Sequence, residues 1–191
     1  MVEMQSARLK RAGIARCLLE ARDFSHVRLH LDDAQYKELM RVAHLPENLL
    51  SYEETLGASE TINKWVDEGH EVFVITGRPF DSYEPSRAWL DKHNLERISL
   101  FCVDKYGREK VTQDYIYSMI LDELYSRTFD FAIEDSPAAF EHVLYFEECK
   151  VAVFDRPWNR QSQFPNDRFV RCKSWKEIDK VFEEYAKMKS R

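Results

Sequence analysis

Short runs of apolar residues alternate with amphipathic segments along the rear two-thirds of the chain. The apolar runs are four to six residues long, and they comprise Glu71–Ile75, Ile98–Val103, Phe129–Ile133 and Val151–Phe154. Runs of this length that end at glycine, proline or acidic residues are typical of buried strands. The amphipathic segments predict helices over Ser86–His93, Thr112–Tyr125, Pro137–Phe146 and Ser174–Lys187. This alternation predicts an α/β fold in which helices cover a parallel sheet.

The first third of the chain has a different pattern. Its predicted helices are Ala7–Glu20, Asp32–Val42 and Leu56–Gly69. His26–Leu31 has the composition of a short strand. No internal repeat and no linker rich in glycine, serine or proline divides the 191 residues, so one domain is the simplest interpretation.

Composition and charge narrow the class of protein. The net charge of −6 argues against a general binder of nucleic acid polymers, which needs a concentrated basic face, but it permits a small anionic substrate. No apolar stretch approaches the roughly 20 residues of a membrane span, and the N-terminus lacks the pattern of a secretory signal. The four cysteines form no CxxC pair, which favours reduced thiols. We therefore expect a cytoplasmic protein.

A phosphate-binding turn is predicted after the first apolar run of the rear part. Thr76, Gly77 and Arg78 stand there, followed by a proline. Ligands of parallel sheets bind at the carboxyl ends of the strands. A hydroxyl group beside backbone N–H groups at such an end suits a phosphate. On its own, however, this string is also a common turn.

Charged residues follow two further predicted strands. Glu134 and Asp135 are adjacent carboxylates at a strand end, and such a pair beside a phosphate suits Mg²⁺. Lys105 fits the end of the preceding strand and Lys110 the start of the next helix, and either lysine would offset the charge of a phosphoryl group. The acidic pair alone could simply open a helix, and each lysine alone could be a solvated side chain. The order strand–Thr, strand–Lys, strand–acidic pair favours a functional site.

Several strings in this order resemble a known family. VFVITGRP, FCVDKYGREK and FAIEDSP are similar to the second, third and fourth motifs of the haloacid dehalogenase superfamily. AVFDRPWNR followed by RFVRCKSWKEI resembles the tail of bacterial members of its 5'(3')-deoxyribonucleotidase family. The resemblance extends from about Leu49 to the C-terminus. It implies a three-layer sandwich with a parallel sheet, in which about residues 56–191 form the core and about 20–55 a small remnant helical cap.

The resemblance also implies a chemistry. It assigns phosphate binding to Thr76 with Gly77 and Arg78, stabilisation of that phosphate to Lys105 or Lys110, and Mg²⁺ binding to Asp135 with Glu134. The implied activity is hydrolysis of a small phosphomonoester, such as a nucleoside monophosphate. The expected partner is that phosphorylated substrate rather than a nucleic acid polymer or a membrane, and the oligomeric state is left open. Trp158 and Asn159 either border the substrate pocket or end the sheet.

The nucleophile of this chemistry is not where the family has it. In the family an N-terminal strand ends in Asp-x-Asp, whose first aspartate attacks phosphorus and whose second acts as acid and base. No Asp-x-Asp precedes Thr76, and the nearest string, LHLDDA, has alanine in place of the second aspartate. Either His26–Leu31 is an atypical first strand with Asp32 as nucleophile, or Asp32 begins a helix of the cap and the first strand is absent.

An absent first strand would leave a gap in the sheet. In the family this strand lies between the strands that carry the second and fourth motifs. Each buried backbone group left without a hydrogen-bond partner costs about 1–3 kcal/mol. Candidates to fill the gap are His26–Leu31, Gly13–Leu19, another subunit, or a collapse of the flanking strands onto each other. We expect part of the N-terminal segment to occupy it. Loss of the nucleophile would lower the rate of hydrolysis by several orders of magnitude. The alternative function is a catalytically inactive protein that binds a phosphorylated ligand or a protein partner.

Overall fold

The computed structural model describes residues 31–105 and 117–189. They belong to two compact units, the first ending at Glu53 and the second beginning at Glu54 in the sequence. The described part of the first unit contains helices α1 (Asp33–Ala43) and α2 (Pro46–Ser51). Asp32 caps α1, because its side chain accepts a hydrogen bond from the Gln35 backbone at 2.8 Å while the Gln35 side chain accepts one from the Asp32 backbone at 3.0 Å. The helix predicted over Asp32–Val42 is thus confirmed. The segments Ala7–Glu20 and 26–30 lie outside the described residues.

The second unit contains all the described strands. They are β1 (Phe73–Thr76), β2 (Ser99–Val103), β3 (Ser118–Met119), β4 (Phe131–Glu134), β5 (Lys150–Phe154) and β6 (Phe169–Cys172). The described strands form two parallel three-stranded sheets, β1-β2-β3 (sheet A) and β4-β5-β6 (sheet B). Thr76 pairs with Cys102, and Glu134 pairs with Val153, so neighbouring strands end close to one another. The predicted α/β class with parallel strands is confirmed.

Helices connect these strands. They are α3 (Ala58–Asp67), α4 (Tyr83–Lys92), α5 (Leu121–Ser126), α6 (Pro137–Val143) and α7 (Trp175–Lys189), with 3₁₀ turns at Phe80–Ser82 and Pro157–Asn159. Four of the predicted helices of this unit are present, with ends that differ from the predicted ones by at most three residues. None of the described helices is long and apolar enough to cross a membrane.

One predicted helix is wrong over part of its length. Within Thr112–Tyr125, residues Ser118 and Met119 form strand β3, and the helix begins only at Leu121. Ser118 pairs with Cys102 and extends sheet A, while Met119 is 1% exposed. Backbone pairing along β2 and burial of Met119 therefore outweigh the helical spacing of the apolar residues. Residues 112–116 of that prediction lie outside the described part of the chain.

The core of sheet B is built on both faces of β5. Val151 and Val153 are fully buried in a cluster with Phe140, while Ala152 and Phe154 face the opposite way and pack with Ile178 of α7. Burial on both faces explains why the strand appears in the sequence as a continuous apolar run. The same opposite-face cluster contains Trp65 of α3, whose Nε1–H donates to Asp179 Oδ1 at 2.8 Å, so α7 also joins α3.

Strands β1 and β4 are less buried than their neighbours. Within residues 31–105 and 117–189, β1 pairs only with β2, and β4 pairs only with β5. Every residue of both strands is half-buried, whereas four of the five residues of β5 are buried. Side chains still connect the two regions, since the rings of Phe73 and Phe129 lie 6.3 Å apart and those of Trp65 and Phe131 6.2 Å. These are the two strands that the family resemblance places beside a central strand.

Candidate functional site

The end of β4 carries a carboxylate that is folded back onto its own turn. Glu134 Oε1 accepts hydrogen bonds from the backbone N–H groups of Asp135 and Ser136, each at 2.9 Å. Pro137 then begins α6, where its missing N–H group costs nothing. One oxygen of Glu134 is therefore committed to shaping the strand end, and Oε2 remains for other partners.

Lys105 brings the end of sheet A to this carboxylate. Its Nζ lies 3.7 Å from Glu134 Oε2, and the two side chains are only 11% and 18% exposed. Lys105 follows β2, and its backbone N–H donates to the Val103 carbonyl at 2.8 Å, which turns the chain directly after the strand. The lysine therefore lies beside the acidic pair. Lys110, the other predicted lysine, lies outside the described residues.

Asp135 is the more accessible carboxylate of the pair. Its side chain is 43% exposed, and Oδ2 lies 3.9 Å from Nε of Arg156. Burial raises the pKa of Asp135 above its ordinary value, and the neighbouring Glu134 carboxylate raises it further. The positive charges of Arg156 and Lys105 oppose this rise. Asp135 is thus a carboxylate that gains from an added cation.

A cavity of about 150 Å³ opens beside the acidic pair. Its lining combines apolar side chains with the two carboxylates, a guanidinium and a hydroxyl, namely Thr55, Ile133, Glu134, Asp135, Phe154, Arg156 and Trp175. The guanidinium of Arg156 lies 4.0 Å from the centre of the Phe154 ring, and its Nη2 donates to Thr55 Oγ1 at 3.4 Å. Arg156 was not predicted from the sequence, although it stands directly after the β5 run.

The predicted phosphate turn lies at the end of β1. Thr76 is in register with Cys102 of β2, three residues before Lys105, so both residues stand at the same edge of sheet A. Thr76 Oγ1 accepts a hydrogen bond from the Arg78 backbone at 3.2 Å, and Arg78 Nη1 donates to the buried Ser86 Oγ of α4 at 3.0 Å. Thr76, Gly77 and Arg78 are not part of the lining of the described cavity. The structure therefore brings together Lys105, Glu134 and Asp135 and leaves the role of this turn a prediction.

The loop after β5 is hydrogen-bonded to the end of β4. Trp158 Nε1–H and Asn159 Nδ2–H both donate to the carbonyl oxygen of Asp135, at 3.0 and 2.9 Å. Asn159 is fully buried, and its Nδ2 also donates to the Phe154 carbonyl at 2.7 Å. Its Oδ1 accepts from Arg171 Nη1 at 2.7 Å and from the Arg156 backbone at 3.2 Å. The sequence leaves open whether Trp158 and Asn159 border the substrate pocket or end the sheet. The structure shows both side chains in contact with the end of β4, which carries the acidic pair.

The acidic pair suits a hard divalent ion that keeps part of its water shell. No group of three or more His, Cys, Asp or Glu side chains in residues 31–105 and 117–189 forms a metal site by itself. Mg²⁺ commonly takes one or two carboxylates and completes its shell with water and substrate phosphate. The exposed Asp135 and Oε2 of Glu134 match that donor set.

Asp32, the predicted nucleophile candidate, belongs to the first unit, where it caps α1. This geometry is the one expected from the alternative in which LDDA begins a helix. A catalytic role of Asp32 stays a prediction, as does the division into a cap of about 20–55 and a core of about 56–191.

Comparison with known proteins adds no family assignment. The chain matches no protein-family model, and no curated protein is significantly similar to it.

Proposed function

We propose that this chain is a nucleotidase-like phosphatase of the haloacid dehalogenase type, which hydrolyses a small phosphomonoester with Mg²⁺ at the ends of β1, β2 and β4. The observation that carries the proposal is the contact of Lys105 with Glu134, which lines one cavity together with Asp135. A cation and two carboxylates from different strands, converging at the ligand-binding edge of parallel sheets, suit a phosphate and its metal ion.

Each residue has a distinct task in this proposal. Asp135, with Glu134 Oε2, holds Mg²⁺, which supplies charge neutralisation at the phosphoryl oxygens. Lys105 neutralises Glu134 and lies at the edge where the phosphate enters. The half-buried Thr76, with the Gly77–Arg78 turn that follows it, adds a hydroxyl donor for the phosphate at the end of the neighbouring strand. The finer fold, a three-layer sandwich with a small helical cap and an absent or atypical first strand, is part of the same proposal.

A second candidate function is binding of a phosphorylated ligand without turnover. It is favoured by the position of Asp32, whose carboxylate is engaged in a capping box, and by the cavity lining, whose carboxylates are Glu134 and Asp135. Without a covalent nucleophile, hydrolysis depends on positioning and the metal ion alone, and rates fall by several orders of magnitude.

Turnover and binding assays separate the two functions. Purified protein is incubated with Mg²⁺ and either p-nitrophenyl phosphate or a set of nucleoside monophosphates, and phosphate release is compared among native protein, Asp135→Asn, Lys105→Met and Asp32→Asn. Asp122→Asn serves as a matched control, because Asp122 is an exposed carboxylate of α5 outside the cavity lining.

The outcomes are distinct. Mg²⁺-dependent release that is lost in Asp135→Asn and kept in Asp122→Asn supports the phosphatase. Loss in Asp32→Asn as well would identify Asp32 as a catalytic residue. Mg²⁺-dependent binding of a nucleoside monophosphate, measured by calorimetry without turnover, supports the second function. Protein that neither binds nor hydrolyses any of these compounds would refute both.

A further inference from the structure

The geometry points to Asn159 and Trp158 as positioning residues, which hold the peptide group of Asp135 so that its carboxylate faces the cation site. This inference rests on the proposed function for the identity of the cation, whereas the restraint on the peptide stands on the hydrogen bonds alone. The two side chains follow β5, yet both reach across to a single main-chain oxygen at the end of β4.

Asn159 is held in one orientation by its own partners. A primary amide has two donor hydrogens and an oxygen that accepts two hydrogen bonds. In Asn159 all four are used: Nδ2 donates to the carbonyl groups of Asp135 and Phe154, and Oδ1 accepts from Arg156 and Arg171. The residue is fully buried, so no water competes for these bonds. A buried polar network in which every group is satisfied is rigid.

The network is anchored to the sheet on both sides. Arg171 of β6 donates from Nη1 to Asn159 Oδ1 at 2.7 Å and from Nη2 to the main-chain oxygen of Asn159 at 3.1 Å. The same Nη1 lies 3.0 Å from Asp155 Oδ1. The end of β4 is thereby connected to the ends of β5 and β6. The carbonyl oxygen of Asp135 accepts two hydrogen bonds, which fill both of its lone pairs and fix the plane of the following peptide.

A fixed peptide matters because the Asp135 side chain has few restraints of its own. Its carboxylate is 43% exposed, and its ion pair with Arg156 is long, at 3.9 Å. Outer partners that orient a metal ligand typically contribute 10- to 100-fold to metal affinity. We therefore expect Trp158→Phe, which keeps the ring but loses the N–H donor, to weaken Mg²⁺ binding about tenfold.

The test combines calorimetry with nuclear magnetic resonance on full-length protein. Mg²⁺ affinity is measured for native protein, Trp158→Phe and Asn159→Asp, the last of which retains the size of the side chain but loses both donors. Ile62→Val is the control for a general loss of packing, because Ile62 is a buried residue of α3 outside this hydrogen-bond network and its replacement lowers stability by a small amount. In parallel, the carbonyl ¹³C shift of Asp135 and the ¹⁵N order parameter of Ser136 are recorded without metal.

The inference is supported if both loop variants bind Mg²⁺ more weakly and Ile62→Val binds it unchanged. It also requires that the loop variants change the carbonyl shift of Asp135 and lower the order parameter of Ser136. Native-like Mg²⁺ affinity in the two variants, or equal weakening in Ile62→Val, would overturn it. If native protein binds no Mg²⁺, the proposed function fails, and the resonance data alone then decide whether the loop restrains Asp135. If the Asp135 carbonyl shift and the Ser136 order parameter are unchanged in Trp158→Phe and Asn159→Asp, the loop does not restrain the peptide group of Asp135.

Discussion

Replacement of Lys105 by methionine tests the ion pair that joins the ends of the two sheets. Its Nζ lies 3.7 Å from Glu134 Oε2, and both side chains are largely buried. At an effective dielectric constant of about 20, two unit charges at this distance attract each other by about 4 kcal/mol. Desolvation of both groups offsets part of this energy, so the expected coupling between them is about 1–3 kcal/mol.

The coupling is measured by a double-mutant cycle. Urea unfolding, followed by tryptophan fluorescence, gives the free energy of unfolding for native protein, Lys105→Met, Glu134→Gln and the double variant. The single change at Lys105 should cost somewhat less than the roughly 3–5 kcal/mol typical of a broken buried pair, because Glu134 keeps two backbone N–H donors. In 1 M NaCl the coupling should persist, since salt screens buried pairs weakly.

A second cycle on an exposed pair is the control. Lys180 and Glu184 of α7 are 3.9 Å apart, a similar distance, but 77% and 65% exposed. Their coupling should be only about 0.3–0.5 kcal/mol and should vanish in 1 M NaCl. If the Lys105–Glu134 coupling is equally small, or is equally sensitive to salt, the two strand ends do not meet as a buried pair and the reasoning about the site is refuted.

Three further predictions concern the acidic pair, the core and the thiols. Burial raises the pKa of Asp135, so its contribution to stability is complete only below the ordinary carboxyl pKa of about 3.9 and is lost as the pH rises through the raised value. Thermal unfolding should therefore find Asp135→Asn more stable than native protein at pH 7 and equal to it near pH 3. A variant that is less stable than native protein at pH 7 would contradict this. Ile178→Ala should lower the free energy of unfolding by about 2–5 kcal/mol, because it opens a cavity at a residue with no exposed surface, whereas Met188→Ala, at a side chain 73% exposed, should change it by less than about 0.5 kcal/mol. Burial raises the pKa of Cys149 to about 12 and that of Cys172 to about 11, so mass spectrometry should find both thiols unmodified by iodoacetamide at pH 8 until urea unfolds the protein; rapid labelling of folded protein would count against their burial.

The sequence predicts the buried strands well, for a physical reason. A strand covered on both faces has apolar residues at every position, so the Val151–Phe154 run of β5 stands out without regard to periodicity. Strand β6 was missed because its four residues include Arg171, which faces the loop network rather than the core. Strand β3 was taken for helix because two residues carry no period, and its conformation follows from pairing with β2.

The charged residues of the candidate site could be predicted from the sequence, because they stand directly after predicted strands. Lys105, Glu134 and Asp135 follow predicted strands, and the rule that parallel strands present their carboxyl ends at one edge is enough to bring them together. Trp158 and Asn159 act on a main-chain carbonyl group, which every residue has, so no pattern of residue types reveals their partner. Their role depends on the path of the loop after β5, and loop paths are set by tertiary contacts.

Helix α7 has a consequence for how the second unit is made in the cell. Trp175, Ile178 and Phe182 of α7 cover a surface to which α3, β4, β5 and β6 all contribute, through side chains such as Trp65 and Phe131. A ribosome synthesises every one of those strands before α7 leaves the exit tunnel. During that interval the aromatic surface is open to water, and the nascent chain is most prone to aggregate or to recruit chaperones.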